Sequence, residues 1–419
     1  MMARRLLTVL LSVLVMAMGA TVFAQSSETV TLEFAQWWAP ELPEGEFRAL
    51  MDDFEAQNPG IEVELLSGPY SATRSQIIAG AATGTLADVV GLDGAWVNDL
   101  VQQGALASLS QLMSAADYDD AALAAQIRLG GDTYMIPVVN FVYPLFLNLD
   151  LLEQAGIDAG PSTRSEFADA ARAVTNPDAN VYGWVLPLSM QQPNGVQNDV
   201  MSWVWANGGS MLDDGQADLV GNEQVRSAME FIKGLYDEGV IAPGVFSMRE
   251  QDKVEEFTNE RVGMMISSLA HINLIRDRNP DLRFGISALP AVEGNTGARG
   301  LPYASWGIGV SGDSENQAEA WKLVEFLMSQ EANSRLSSIA NAFPGNVDAT
   351  PDFVTTDDLF ADAFEVFQDG YLANEFVGLP VAETLMRQFG EPLQRYLDGD
   401  LSLEAFLADA QAAWEEELE

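Results

Sequence analysis

The spacing of apolar residues changes along the chain in a regular order. Thr29 to Phe34 alternates, with Val30, Leu32 and Phe34 on one face, which predicts a strand. Phe47, Leu50, Met51 and Phe54 follow at helical spacing, and Asn58-Pro59-Gly60 ends that helix. Ile61, Val63 and Leu65 then alternate again. This is a β-α-β unit, so a parallel sheet is expected. A helix over 71–82, a short buried strand over 88–92 and a helix opening at Asp93-Gly94-Ala95-Trp96 continue the pattern.

The stretch from Asp132 to Gly156 differs. Tyr134 to Phe146 is apolar and rich in β-branched and aromatic residues, interrupted by Asn140, Pro137 and Pro144. It predicts an extended segment that its prolines keep from forming a long ladder strand. The chain then turns at Asn148 into a short helix, with Leu151 and Leu152 inward and Gly156 as its stop. Asn140 and Tyr143 read in one of two ways: as loop and core residues, or as cleft residues on a strand crossing between two lobes.

Farther on, Thr163 with Glu166 forms a capping box for a helix to Val174. Strands are expected over 182–188, 262–266, 284–289 and 306–310, and an amphipathic helix over 223–238 closed by Gly239. Ser267-Ser268 opens a helix. Ser314 with Gln317 makes a second capping box, before a helix carrying Trp321, Val324 and Met328. From Asp357 the chain reads as helical. No 20–50-residue period repeats, which excludes a solenoid.

Composition sharpens the class. The 419 residues suit two domains or one large one. Arg4 and Arg5 precede an apolar run, Leu6 to Met18, and Val22-Phe23-Ala24 places small residues for cleavage before Gln25. Residues 1–24 are therefore expected to be a signal peptide. No later apolar run approaches the roughly 18 residues of a membrane span. With no cysteine there are no disulfides and no lipid-modified N-terminal cysteine, so the chain is expected to be a free periplasmic protein. The net charge of −42, from 62 acidic and 20 basic residues, sets phosphate repulsion against any nucleic-acid partner. Its spread along the chain reads as solvation; steering toward a cationic ligand or a basic membrane partner is the second reading.

Enzyme signatures are sparse. His271 is the one histidine, too few for a multi-histidine metal centre, and there is no thiol nucleophile. Gly307-x-Gly309-x-x-Gly312 matches a dinucleotide fingerprint as a string, but its glycines lie inside an apolar strand, where the fingerprint needs them after it. Asp398 to Glu404 lacks the sixth-position glycine of a calcium loop and reads as an acidic turn. Paired carboxylates would suit glycoside hydrolysis, but 62 acidic residues make any sequence pair uninformative.

Ligands in open α/β sheets sit beyond strand carboxyl ends, and Trp37, Trp38, Asp93 and Trp96 all fall there. With the W-W strand end, the motifs Phe54 to Glu64 (F-x-x-x-N-P-G-I-x-V-E) and Ala87 to Trp96 (A-D-V-V-x-L-D-G-x-W) resemble the first lobe of the family 1 extracellular solute-binding proteins of ABC importers. That group is maltose-binding-like and mostly carries carbohydrates. Leu147 to Leu152 with Ala155-Gly156-Ile157, Asn207-Gly208-Gly209, Leu235 to Gly239, Asn279-Pro280-Asp281, Phe284-Gly285 with Leu289-Pro290, and Trp306-Gly307 follow in family order. The match covers Glu28 to Glu419. Leu147 stands where a tyrosine is usual and Arg164 where a tryptophan is. Ser267-Ser268-Leu269-Ala270 replaces a common S-G-P-W, so a stacking aromatic is missing from that loop.

The resemblance implies a two-lobed α/β periplasmic-binding-protein fold with a ligand cleft between the lobes. Three crossovers are implied, at Tyr134 to Asn140, Tyr303 to Gly307 and Ala340 to Pro344. One lobe would hold 25–138 and 307–341, the other 139–306 and 342–419. It implies a monomer with no cofactor, no metal and no enzymatic activity, which captures a saccharide and delivers it to permease subunits. Trp37, Trp38, Trp96, Trp203 and Trp306 would offer stacking faces. Gln36, Asp93, Asn140, Asn198 and Ser268 would offer polar contacts, with Tyr143 facing the cleft. The competing solutes are a polyamine, which needs clustered cleft carboxylates, and glycerol phosphate, which needs cleft arginines, with Arg74 a candidate. A secreted glycosidase is the enzyme alternative.

Overall fold

A computed structural model describes residues 29–213, 215–379 and 381–418; the expected signal peptide lies outside them. The opening β-α-β unit forms as its periodicity predicts. β1 (Val30–Gln36) lies parallel between β2 (Ile61–Ser67) and β3 (Val89–Leu92). The helix Glu46–Gln57 buries Phe47, Leu50, Met51 and Phe54, the four residues at helical spacing.

β4 (Ile127–Leu129) pairs with β5 (Asp132–Val142). β5 runs as one strand through Pro137, against the expectation that proline would break it. Its partner β12 (Gly300–Val310) shifts register between Trp306 and Gly307. Trp306 faces Val139 and Gly307 faces Pro137, so Val138 is the extra residue. A bulge of this kind tolerates a residue with no N–H to give the ladder. Pro144 does end the pairing, and β6 (Leu145–Asn148) starts beyond it in another sheet. β13 (Phe343–Pro344) flanks β5 on its other side, and β14 (Tyr371–Ala373) extends β12. The first sheet thus runs β13-β5-β12-β3-β1-β2.

The second sheet is built from β7 (Tyr182–Trp184), β10 (Val262–Ile266) and β11 (Phe284–Ser287) around β6, in the order β11-β6-β10-β7. A hairpin of β8 (Leu212–Asp213) and β9 (Gln216–Ala217) stands apart. Each sheet has its own core. The first core takes in Val139, Trp306 and Ala342; the second takes in Val142, Tyr303 and Phe343. All three crossing segments therefore change core within a few residues, side by side in β5, β12 and β13.

Two local expectations change. Thr163 and Glu166 form the expected capping box. Ser314 does not: its hydroxyl donates to Asp88 at 2.5 Å, and the helix Gln317–Leu327 has no side-chain cap. The C-terminal part holds helices Asp358–Asp369, Ala382–Leu397 and Leu403–Leu418, but also β14 and an irregular run after it. Gly307 and Gly309 are packing glycines. A Cβ would stand 1.9 Å from Met135 Cε at the first and 2.7 Å from Leu92 Cδ1 at the second. Among the described residues no helix is long and apolar enough to cross a membrane.

Candidate functional site

β1, β2 and β3 end together at Gln36, Ser67 and Leu92, and antiparallel β12 brings Gly307 opposite Leu92. This edge of the first lobe therefore gathers Trp37, Trp38, the start of the helix Tyr70–Thr83, Asp93, Trp96 and Trp306. Trp37 meets Tyr70 edge-on at 5.3 Å and Trp96 at 5.3 Å. Tyr70 lies 5.1 Å from Trp96, and its hydroxyl donates to Asp93 Oδ2 at 3.0 Å. Asp93 Oδ1 caps its helix by accepting from the Ala95 N–H at 2.9 Å. Burial, then the Asp93 carboxylate, pushes the Tyr70 hydroxyl's pKa up.

The tryptophans are less available than the sequence suggests. Trp38 is fully buried, stacked on Trp306 at 5.7 Å, with the edges of Phe34 and Phe47 against it. Trp37, Trp96 and Trp306 are also buried. The aromatic of this cluster that meets solvent is Tyr70, 41% exposed. Sequence reasoning missed it, although it follows the end of β2 as Asp93 follows β3. Gln36 spends both ends of its amide locally: Nε2 donates to Ser67 Oγ at 2.6 Å and Oε1 accepts from the Ala39 N–H at 2.8 Å.

The second lobe supplies an edge of the same kind. β10 and β7 run parallel, and Ile266 at the end of β10 pairs with Leu145, where the chain enters this lobe from the crossover. The Ser267 N–H donates to Pro144 O at 3.2 Å and the Leu269 N–H to Val142 O at 3.1 Å. Ser268 is therefore held beside Tyr143. The Tyr143 hydroxyl is pushed well above its ordinary range by burial and by Glu250 and Asp199, with the nearby Ser268 and Asn198 side chains opposing. Tyr143, Asn198 and Ser268 thus come together as one polar group.

Two predicted residues sit elsewhere. Trp203 is a core residue, wholly buried against Phe167, Trp184 and Phe231 at 4.9 to 5.6 Å. The Arg164 guanidinium lies over its ring and donates to Trp203 O. Asn140 is fully buried on the crossover, where its Nδ2 donates to Pro344 O at 3.1 Å and ties β5 to the third crossing segment.

Beneath Tyr143 lies a charged cluster that the sequence did not disclose. Lys253 is fully buried, 3.0 and 3.1 Å from the two Asp199 oxygens, and donates to Ile266 O at 2.6 Å. Glu250 Oε2 is 2.8 Å from Lys253 Nζ. Burial, reinforced by Glu250 and opposed by Lys253, pushes Asp199 up to about 8. Burial works to lower Lys253, but the two carboxylates outweigh it and hold it above its ordinary value. Burial depresses His271. Ser267 Oγ and Glu250 Oε1 lie 2.8 and 4.0 Å from the same ring nitrogen, Nδ1 of His271. A nucleophilic relay needs serine and carboxylate on opposite nitrogens, so these three do not form one. Among the described residues no three metal-ligating side chains cluster.

Comparison with known proteins agrees with this architecture. A binding protein of Brucella abortus (strain 2308), provisionally named, is 29% identical over 306 residues, 72% of each chain. The cyclic alpha-maltosyl-1,6-maltose binding protein of Arthrobacter globiformis superposes with a TM-score of 0.78 at 19% identity, over 93% of this chain and 98% of that one. The sugar-binding protein MalE of Xanthomonas citri gives 0.76 at 20%, over 93% and 97%. A Thermotoga lettingae solute-binding protein bound with alpha-D-tagatose gives 0.68 at 21%, over 94% and 100%. Residues 39–334 match the profile of the bacterial extracellular solute-binding proteins, and the chain belongs to that family.

Proposed function

We propose that this protein captures a sugar or oligosaccharide between its two lobes and delivers it to an ABC permease. The observation that carries the reading is the meeting of two unlike edges at the crossovers. One is aromatic, with Trp37, Tyr70 and Trp96 beside Asp93. The other carries hydroxyl and amide groups, Tyr143, Ser268 and Asn198. A sugar presents C–H faces to aromatics and hydroxyls to polar groups, and enclosure buries most of a small ligand. The maltosyl and tagatose ligands of the structural neighbours support the same class.

The rival solutes find less support. Asp93 already accepts from Ala95 and Tyr70, and Lys253 engages both Asp199 and Glu250, so free carboxylates for a polyamine are few. Arg74 is exposed on its helix. A binding role without catalysis fits the solute-binding family to which the chain belongs. Cleavage of the signal peptide after Ala24, release as a free monomer and a periplasmic location complete the reading.

The test is thermal unfolding of the mature protein against maltose, D-tagatose, ribitol, putrescine and glycerol 3-phosphate. A solute at about 100 times its Kd adds roughly 2.7 kcal/mol of stability. The expected outcome is a raised midpoint with a sugar or polyol that is recovered unconsumed. A shift with putrescine or glycerol 3-phosphate alone would overturn the sugar assignment, and consumption of a glycoside would make the protein an enzyme.

A further inference from the structure

β12 is buried along its length except near its middle, where Ala304 is exposed and Ser305 half-buried. On the side away from β5 its two ends are paired, Gly300 to Pro302 with β14 and Gly307 to Val310 with β3. Ala304 thus lies at an opening in the middle of an interior strand, where the chain crosses between lobes. Its partner across the ladder is Phe141 on β5, itself half-buried. Cross-strand partners share a face, and side chains alternate along each strand. Phe141 and Ala304 therefore lie on the face that carries Trp306, while Asn140 and Ser305 point the other way. Phe141 meets Trp306 edge-on at 5.5 Å, and Trp306 stacks on Trp38 at the first lobe's aromatic edge. Two residues beyond Phe141 stands Tyr143, whose N–H still donates to Pro302 O on β12 at 2.9 Å. Phe141 therefore occupies the interval between the aromatic edge of one lobe and the polar group of the other.

A phenyl ring and a methyl group bring no hydrogen-bonding side chain to this spot. Resting on the sugar-capture reading, we infer that Phe141 and Ala304 form the floor of the ligand site, and that they select a pyranose ring over an open-chain polyol. A pyranose gathers C–H groups on one side of a rigid ring, a shape that packs on an aromatic side chain. An open-chain polyol carries a hydroxyl on every carbon and has no such face. Laid on Phe141 and Ala304 it leaves hydroxyls without partners, and an unmade hydrogen bond in an enclosed site is costly. It also loses the freedom of its chain on binding, which a ring has already given up. Phe141 is the contacting residue; Trp306 is a positioning residue, buried behind it and held by Trp38.

Calorimetric titration of maltose, D-glucose, ribitol and putrescine into wild type, F141L, A304L and A408L tests this, Ala408 being an exposed alanine on the C-terminal helix. Wild type should bind a pyranose more tightly than ribitol. F141L keeps an apolar side chain but loses the ring, so pyranose binding should weaken about twofold to tenfold. Ribitol binding should change little in F141L, whereas a merely structural fault would weaken both solutes alike. A304L fills the opening and should weaken the pyranose more than tenfold, with A408L like wild type. Pyranose binding by A304L equal to that of wild type overturns the floor and leaves sugar capture intact. An unchanged ratio of pyranose to ribitol affinity in F141L overturns the role of Phe141. Ribitol bound by wild type as tightly as either pyranose overturns the ring preference. Putrescine binding with no neutral solute overturns both this assignment and sugar capture. If wild type binds none of the four, crystals soaked in D-glucose decide: a sugar ring against Phe141 upholds the floor, and no ring there overturns it.

Discussion

Asp199 and Lys253 are each fully buried, and their coupling sets a pH dependence that can be signed. The Asp199 carboxyl is raised from 3.8 to about 8 by burial, with Lys253 opposing. A raised carboxyl binds its proton more tightly in the folded state. Its contribution to stability is complete below the unfolded pKa and is lost as pH rises through the folded one. Wild type should therefore lose stability relative to D199N between about pH 4 and pH 8, at up to about 1.4 kcal/mol per pH unit. D199N should cost stability at either pH, since its amide nitrogen cannot accept from Lys253 as the second Asp199 oxygen does, so the test is how the gap between the two proteins changes with pH. Urea unfolding of both proteins at pH 5 and pH 8 checks this, and parallel curves would refute a protonated Asp199. Asp252, Asp357 and Glu238 are lowered by their arginines and act alike in both proteins, so the difference reports Asp199 together with the Lys253 that its carboxylate holds up.

At the scale of elements, close approach is built in by small residues. A Cβ on Gly183 in β7 would stand 2.3 Å from both Cα and O of Ala171 on the helix Arg164–Val174. Backbone atoms cannot yield as a side chain would, so Gly183→Ala should destabilise by about 2 kcal/mol or more. A lowered urea midpoint with unchanged solute affinity of the folded fraction is the expected result. Elements of this kind were legible in the sequence wherever the signal was local. The stripe of Phe47, Leu50, Met51 and Phe54 and the pair Thr163 and Glu166 required no knowledge of the rest of the chain. What failed depended on distant partners. Pro137 stays in its strand because β12, over 160 residues on, shifts register beside it. Ser314 is diverted from its cap by Asp88. Trp203 looked like a site residue, but its place is set by packing against Phe167, Trp184 and Phe231. Glu250 could not be distinguished among 62 acidic residues until Lys253 was found buried beside it. The motif order that carried the family resemblance was visible from the start, because order survives where single residues change.

For the whole molecule, the three crossing strands leave one question open to experiment: what else joins the lobes. We propose the lobes as 25–138 with 307–341 and 139–306 with 342–419, joined through β5, β12 and β13. The run after β14 makes a further bridge. Asn374 Nδ2 donates to Tyr303 O at 3.1 Å, and Glu375 accepts from the Met211 N–H at 2.9 Å, fixing the run to the second lobe. Four residues on from Asn374, the Gly378 N–H donates to Gly94 O at 3.1 Å, on the helix that Asp93 caps in the first lobe. Val377 packs against both cores. A Cβ on Gly94 would stand 2.5 Å from Val377 Cγ1, so Gly94→Ala must push the strap away while its anchors hold. The lobes of G94A should part, which small-angle scattering would register as a larger radius of gyration. Trimming the obstructing side chain in G94A/V377A should restore the wild-type value. Identical scattering from G94A and wild type would show that the crossovers alone set the lobe arrangement. Recovery in the double variant would place the strap beside the cleft as a second constraint on closure, because the helix it touches begins one residue after Asp93.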